Sequence, residues 1–363
     1  MSNGIIDKIS PVYRSFLPDF FERQIPVESA ATCSLCVMLA HPGTPCYGTL
    51  SFSPASKCCT HHPELPNYLV GALLSDTSPA SAEGKSRIRE KIQSRIGITP
   101  FGILRPVRYA LLISNSNTDY FGRSRALICP LYDAEKGACT VAPHWDAICS
   151  SWFCKYVSGE DGRKFWLAIR KYLEGAEQIL RRYPLLEMGL DLPEPENDRG
   201  KQKPLTLEEL DDLPLPQSEY AALWGDWSGR EEEFYLETYR IVAPLDRHTF
   251  KNIEGTGQKY LLRDVEKKFE AMMSAPVPEK LQRNVALNTI KLPGDFNLLT
   301  AYSPFDPLKL SGRLNACLHY FDGSRSNSDV IGIVRKELGI SLSPHILQKL
   351  YRFRILTNPQ TEK

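Results

Sequence analysis

Four cysteines fall within the 26 residues from Cys129 to Cys154. Nine residues separate Cys129 from Cys139, nine separate Cys139 from Cys149, and four separate Cys149 from Cys154. Clustered sulfurs either pair as disulfides or hold a metal, and either choice ties together loops with little apolar surface of their own. Cys33, Cys36, Cys46, Cys58 and Cys59 lie upstream, so nine of the ten cysteines precede residue 155. A chain of 363 residues does not need disulfides to fold, unlike a small secreted domain. Its opening residues also lack a basic stretch followed by a small-residue cleavage site. The expectation is therefore a cytoplasmic protein whose clustered thiols are metal ligands, with a secreted disulfide protein as the weaker alternative.

A net charge of +1 offers no broad attraction to nucleic acid or to a membrane surface, so both are disfavoured as partners. No apolar run approaches the roughly 20 residues that span a bilayer. The length suits two or three domains. The fold class read from the order of elements is α+β: a cysteine-rich metal-binding domain with few strands (1–189), an exposed linker or insertion (190–216), a helical middle region (217–283) and a C-terminal winged helix (284–363).

Phe16, Phe20 and Phe21 suggest one side of a short helix. Asn67 to Leu74 reads as a helix, and Ala80 to Ile96 as a more polar one ending at Gly97. Arg108 to Ile113, a short apolar run, reads as a strand. Gly162 to Tyr183 carries Phe165, Ile169, Tyr172, Leu173, Ala176, Ile179, Leu180 and Tyr183 at helical spacing, and Pro184 is taken as its end. Leu190 to Pro216 is acidic and proline-rich, with little to bury. Further helices are expected over Glu231 to Val242 and Lys259 to Met273. Trp224 and Trp227 are read as packing residues.

Cys33-Ser34-Leu35-Cys36 can bring two sulfurs to one metal; a redox dithiol is the other reading, although no βαβ context supports it. Cys58 and Cys59 are adjacent, an arrangement that rarely serves one tetrahedral ion with both thiols. His61 and His62 follow and rank behind the cysteines as ligands. Cys46 has no matching partner. Nucleotide loops, GxSxG, HExxH and CxxxCxxC patterns are absent, so no catalytic residue is assigned. Cys149 with His144 is a nominal nucleophile–base pair, but metal ligation explains Cys149 better.

Over residues 30–156 this pattern resembles the bacterial zinc- or iron-chelating cysteine-cluster family. Cys58-Cys59 looks like that family's cysteine pair, Cys129-Pro130-Leu131-Tyr132 like its CPxL turn, Cys139-Thr140-Val141 like its next element and Cys149 like its last ligand. The chain departs from the family at His144-Trp145-Asp146 and Ser150, where arginine and proline are usual, and in carrying Cys154. The resemblance implies a metal site, and a related arrangement occurs in flagellin lysine N-methylases, which look like iron–sulfur proteins. The candidate ligands are Cys33, Cys36, Cys58, Cys59, Cys129, Cys139, Cys149 and Cys154. Eight cysteines suffice for two sites, and one zinc ion would leave many unused, so a 4Fe-4S cluster is favoured slightly over zinc.

At the C-terminus, Asn284 to Ile290 and Phe296 to Ala301 read as strands around the turn Pro293-Gly294-Asp295. A helix is expected over Leu308 to Tyr320. Asp322-Gly323-Ser324-Arg325, two more amphipathic helices and a closing strand follow. This order resembles the winged-helix domain of the pyrroloquinoline-quinone peptide-chaperone type, which implies a peptide or protein partner at the winged helix. Packing or dimerisation is the plainer alternative. Cys317 is read as a buried structural thiol. The functional expectation is a metal-binding protein that acts on a peptide or protein held by its winged helix; the alternative is a non-catalytic, zinc-stapled interaction or regulatory protein.

Overall fold

The computed structural model describes residues 4–25, 36–39, 51–115, 120–190, 206–274 and 276–360. Helices dominate and the strands are short and antiparallel, an α+β mixture. Cys33 and Cys46 lie outside the described residues, as does most of the expected linker (191–205). Contacts divide the chain into two units. The first comprises Met1–Ile25, Thr32–Trp152 and Ile169–Leu262, while Phe153–Ala168 and Arg263–Lys363 fall in the second.

In the first unit, Phe16, Phe20 and Phe21 are buried, but no single helix carries them. Three one-turn segments, Ile5–Lys8, Pro11–Tyr13 and Asp19–Glu22, take its place. Pro11 and Pro18 stand at their starts, and proline cannot donate to a preceding turn. β1 (Leu65–Pro66) leads into α1 (Asn67–Ser75), and α2 follows (Ala82–Ser94). α2 stops earlier than expected, with Arg95 rather than Gly97 taking the first left-handed position. β2 (Ile98–Thr99) and β3 (Gly102–Ile103) complete a small sheet of order β1-β3-β2.

The segment expected as a strand is α3 (Val107–Ser114). Pro106 precedes its first turn and Tyr109 is its buried anchor. A six-residue apolar run is compatible with either period, and here the helix places that anchor inward. β4 (Tyr132–Asp133), β5 (Ala138–Cys139) and α4 (Ala147–Ser151) carry the cysteine cluster.

α5 (Gly159–Glu187) runs through Pro184 instead of ending there. Its stop is at Gly189: Leu190 N–H donates to Leu185 O at 2.8 Å and Gly189 N–H to Leu186 O at 2.9 Å. This paired closure needs a left-handed residue, and Gly189 has φ +70°. Pro184 removes one hydrogen bond near a terminus without ending the helix. α6 (Leu207–Leu210), α7 (Gln217–Trp224), α8 (Glu231–Val242), α9 (Arg247–Ile253) and α10 (Thr256–Ser274) follow. α6 lies in the stretch expected to be linker, and its leucines remain largely exposed. α1 and α8 pack at unusually close range. A Cβ added at Gly71 would lie 1.9 Å from Tyr235 O, so only glycine permits the approach. Trp224 is buried beside Phe234 and Tyr235, as a packing residue should be.

In the second unit, β6 (Gln282–Arg283) precedes the hairpin of β7 (Asn288–Leu292) and β8 (Phe296–Thr300). Gly294 and Asp295 take the left-handed turn positions. Where a helix was expected from Leu308, the chain first forms β9 (Leu308–Ser311), giving a sheet of order β7-β8-β9. Ser311 then caps α11 (Gly312–Cys317) by accepting from Leu314 N–H at 3.2 Å. α12 (Asn327–Leu338), α13 (Pro344–Arg352) and β10 (Leu356–Thr357) close the unit, with β10 antiparallel to β6. Leu299, Leu310, Cys317, Leu318, Val334 and Leu350 contribute to one apolar core. Among the described residues, no helix is long and apolar enough to cross a membrane.

Candidate metal centre

Three local devices bring the downstream cysteines together. Cys129 O accepts from Tyr132 N–H at 3.0 Å, which closes the Cys-Pro-Leu-Tyr turn. The chain reverses through β4 and β5 in a register that sets Cys139 opposite Tyr132. Asp133 holds the tip by accepting from the N–H groups of Glu135 and Lys136, both at 3.0 Å. Asp146 then caps α4, accepting from Cys149 N–H at 2.8 Å, which places Cys149 in the first turn of that helix. α2 lies against the hairpin so closely that a Cβ on Gly84 would meet Thr140 O at 2.2 Å.

The upstream pair is tied to the same place. Cys129 N–H donates to Cys59 O at 2.9 Å, and Lys57 Nζ donates to Gly137 O at 2.5 Å. His62 stacks on Tyr109 with centroids 3.8 Å apart and contacts Ile128 O through Nε2 at 3.0 Å. Tyr109 in turn donates to Thr60 O at 2.9 Å.

Electrostatics show the sulfurs acting on one another. Burial pushes the Cys129 thiol up to about 12, with the Cys139 charge adding to it. Enclosure also pushes Cys149 well above the ordinary thiol range, and Asp146, Cys139 and Cys129 raise it further. Cys58 moves the other way, lowered by its hydrogen bond with Cys59 against the opposing effect of burial. Without a cation these sulfurs stay protonated; a metal bound there would displace the protons, because the thiolate is the ligand. His61 is held neutral, its pKa lowered to about 4 by burial and by Arg105 and Arg170. Its Nε2 is buried and has no hydrogen-bond partner among the described residues.

Cys129, Cys139 and Cys149 are thus grouped, and Cys59 is bonded to that group through its backbone. They do not form a closed cage: among the described residues, no three His, Cys, Asp or Glu side chains are placed as a ligand set. The donor chemistry still fits a soft or borderline metal, because the unit offers sulfurs that are buried or half-buried and a neutral, unpartnered imidazole nitrogen. Cys36 lies in a turn closed by Leu39 N–H, at 3.1 Å from Cys36 O. Cys154 falls in the second unit. His144 faces Asp76, with Nε2 2.9 Å from Oδ2.

Two carboxylates beneath α4 escaped the sequence reading. Asp146 is buried and burial raises it to about 6. Glu177 on α5 accepts from Ala147 N–H at 2.7 Å and from Tyr13 Oη, and burial raises it well above its usual range. The pattern Asp146-x-x-Cys149 carries a visible capping signal, whereas Glu177 sits on an otherwise apolar helix face and signals only by that contrast. Compared with protein-family models, curated proteins and solved structures, the chain matches none.

Proposed function

We propose that the first unit is a cysteine-ligated metal site. Cys129, Cys139 and Cys149 hold one centre together with Cys58 or Cys59. The observation that carries this reading is the backbone bond that ties Cys59 to Cys129, beside the charge effects of Cys139 on Cys129 and of both on Cys149. Four ligands satisfy either tetrahedral zinc or a 4Fe-4S cluster. A cluster would supply electron transfer, and zinc would supply a fold-stabilising staple. The unpartnered His61 Nε2 supports zinc as the second reading, because imidazole joins thiolates readily in zinc sites. Cys33 and Cys36 either complete this centre or build a second one.

The second unit supports a peptide or protein partner. β7 bonds only to β8 among the described strands, and most of its residues are exposed. An extended peptide can add to such an edge by backbone hydrogen bonds, the mode implied by the winged-helix resemblance. We place the protein in the cytoplasm and assign it no membrane or nucleic-acid partner.

Anaerobic purification with metal analysis and a visible spectrum tests the metal reading. Cys139→Ser and Cys149→Ser should lose metal while Cys317→Ser keeps it. Full occupancy in the first two variants would sink the ligand assignment. Zinc without broad visible absorbance would select the staple over the cluster.

A further inference from the structure

Pro130 and Leu131, the residues after Cys129 in its turn, form part of the wall of a pocket of 470 Å³. That size suits a small metabolite. α2 supplies the facing wall through Arg87, Ile88, Glu90, Lys91 and Ser94, all on one side of the helix. Leu65, Ile88, Ile103 and Leu131 are buried and give the pocket an apolar floor.

The charges around that floor are almost all engaged by the protein. Arg87 donates through Nε to Glu83 at 2.8 Å and through Nη1 to the carbonyls of Pro130 and Tyr132 at 2.8 and 2.9 Å. Arg105 pairs with Glu64 at 2.7 Å. Glu90 accepts from Ser86 Oγ at 3.3 Å. Lys91 differs from the other two cations: its Nζ makes no hydrogen bond and no ion pair among the described residues. The ammonium is half-buried, and burial lowers its pKa against a weaker opposing pull from Asp212. Holding a desolvated charge without a partner costs stability, so the fold gains nothing from keeping it there.

We propose that this pocket binds a small molecule bearing a carboxylate or phosphate on an apolar body, with Lys91 Nζ as the counter-ion. The apolar floor takes the body, and Arg87 and Arg105 stay committed to their own partners. The inference concerns binding alone and does not depend on the metal reading.

Calorimetric titration of the full chain with hexanoate and with hexyl phosphate tests it, with hexylammonium and acetate as controls. Either amphiphilic anion should bind saturably, and acetate, which lacks the body, should bind far more weakly. The tighter of the two identifies the headgroup. Lys91→Met and Lys91→Gln should each weaken binding by about tenfold or more, and Lys91→Arg should stay within about threefold of the wild type. The ligand-free Lys91→Met protein should melt at or above the wild-type temperature, because a desolvated charge has been removed. Three results overturn the proposal: no saturable binding of either anion, equal binding by Lys91→Met, or hexylammonium binding as well as the anions. A Lys91→Met protein that melts lower would also overturn it, since the amine would then serve the fold.

Discussion

The cysteine segments of the first unit and the sheet-and-helix part of the second are built on different physics. In the second, each main helix carries its own start signal. Ser311, Ser326 and Ser343 accept from the N–H groups of Leu314, Asp329 and Ile346 at 3.2, 3.2 and 3.3 Å. Behind those caps lies one apolar core that includes Leu281, Phe321, Val330 and Ile355. In the cysteine segments the strands are two residues long; Cys129, Leu131, Tyr132 and Val141 enter an apolar core with Leu65 and Ile88, and side-chain-to-backbone bonds hold the loops around them. Ser56 Oγ donates to Gly122 O at 2.9 Å, Gly122 N–H to Thr60 Oγ1 at 2.7 Å, and Lys57 reaches Gly137. Hydrophobic burial scales with area and tolerates local error, whereas a net of single hydrogen bonds at about 1 kcal/mol each does not. The cysteine segments are where bound metal has most to add.

The largest effect should therefore come from chelation, which ought to separate the two regions. Treating the metal-loaded protein with a strong chelator should strip amide-exchange protection from residues 51–66 and 121–151. Residues 308–357 should keep theirs, as read by hydrogen-exchange mass spectrometry. Equal loss in both regions would erase the contrast, and no loss in either would show that the polar net suffices alone.

Gly84→Val comes next. The added carbons would drive α2 off Thr140 O, and overpacking of this kind costs about 1–3 kcal/mol, occasionally more. Thermal melting should show the loss, and the metal content should fall because the hairpin carrying Cys139 moves. Unchanged melting would mean that α2 does not brace the hairpin.

Ser343→Ala should cost about 1 kcal/mol, a typical value for a lost helix cap. Urea unfolding followed at Tyr351 or Phe353 by proton NMR would measure it, with metal content unchanged. A loss of metal would break the comparison from the other side.

The smallest effect concerns acid. Glu160 bonds to Arg354; burial pushes its carboxyl up, but Arg354 and Lys164 outweigh that and leave it below the usual range. A group lowered in the folded state contributes stability above its ordinary pKa, and that contribution disappears as pH falls through the folded value. Carboxyl NMR titration should find Glu160 low in the wild type and higher in Arg354→Met. An unchanged value would remove Arg354 as the cause.

Much of this architecture was legible without coordinates, where the signal is local. The 3.6-residue recurrence of Phe165, Ile169, Tyr172, Leu173, Ala176, Ile179, Leu180 and Tyr183 marked the inward face of α5; Ile179 and Tyr183 at its edge are half-buried and the other six are buried. Pro293-Gly294-Asp295 marked the β7–β8 turn, and the apolar neighbours of Cys317 marked it as core. Spacing and turn chemistry act within a few residues, so they survive being read one segment at a time. The helical state of Arg108 to Ile113 and the strand at Leu308 were decided elsewhere. Short apolar runs satisfy two periods at once, and partners distant in the chain choose between them. The approach of Cys129 to Cys59 spans 70 positions and is closed by a backbone hydrogen bond, which no spacing rule encodes. The isolation of Lys91 is likewise invisible in sequence, because a charge is unpartnered only with respect to what folding brings around it. Local order is written in neighbouring residues; the grouping of sulfurs and the exposure of one amine to a pocket exist only once the chain has closed on itself.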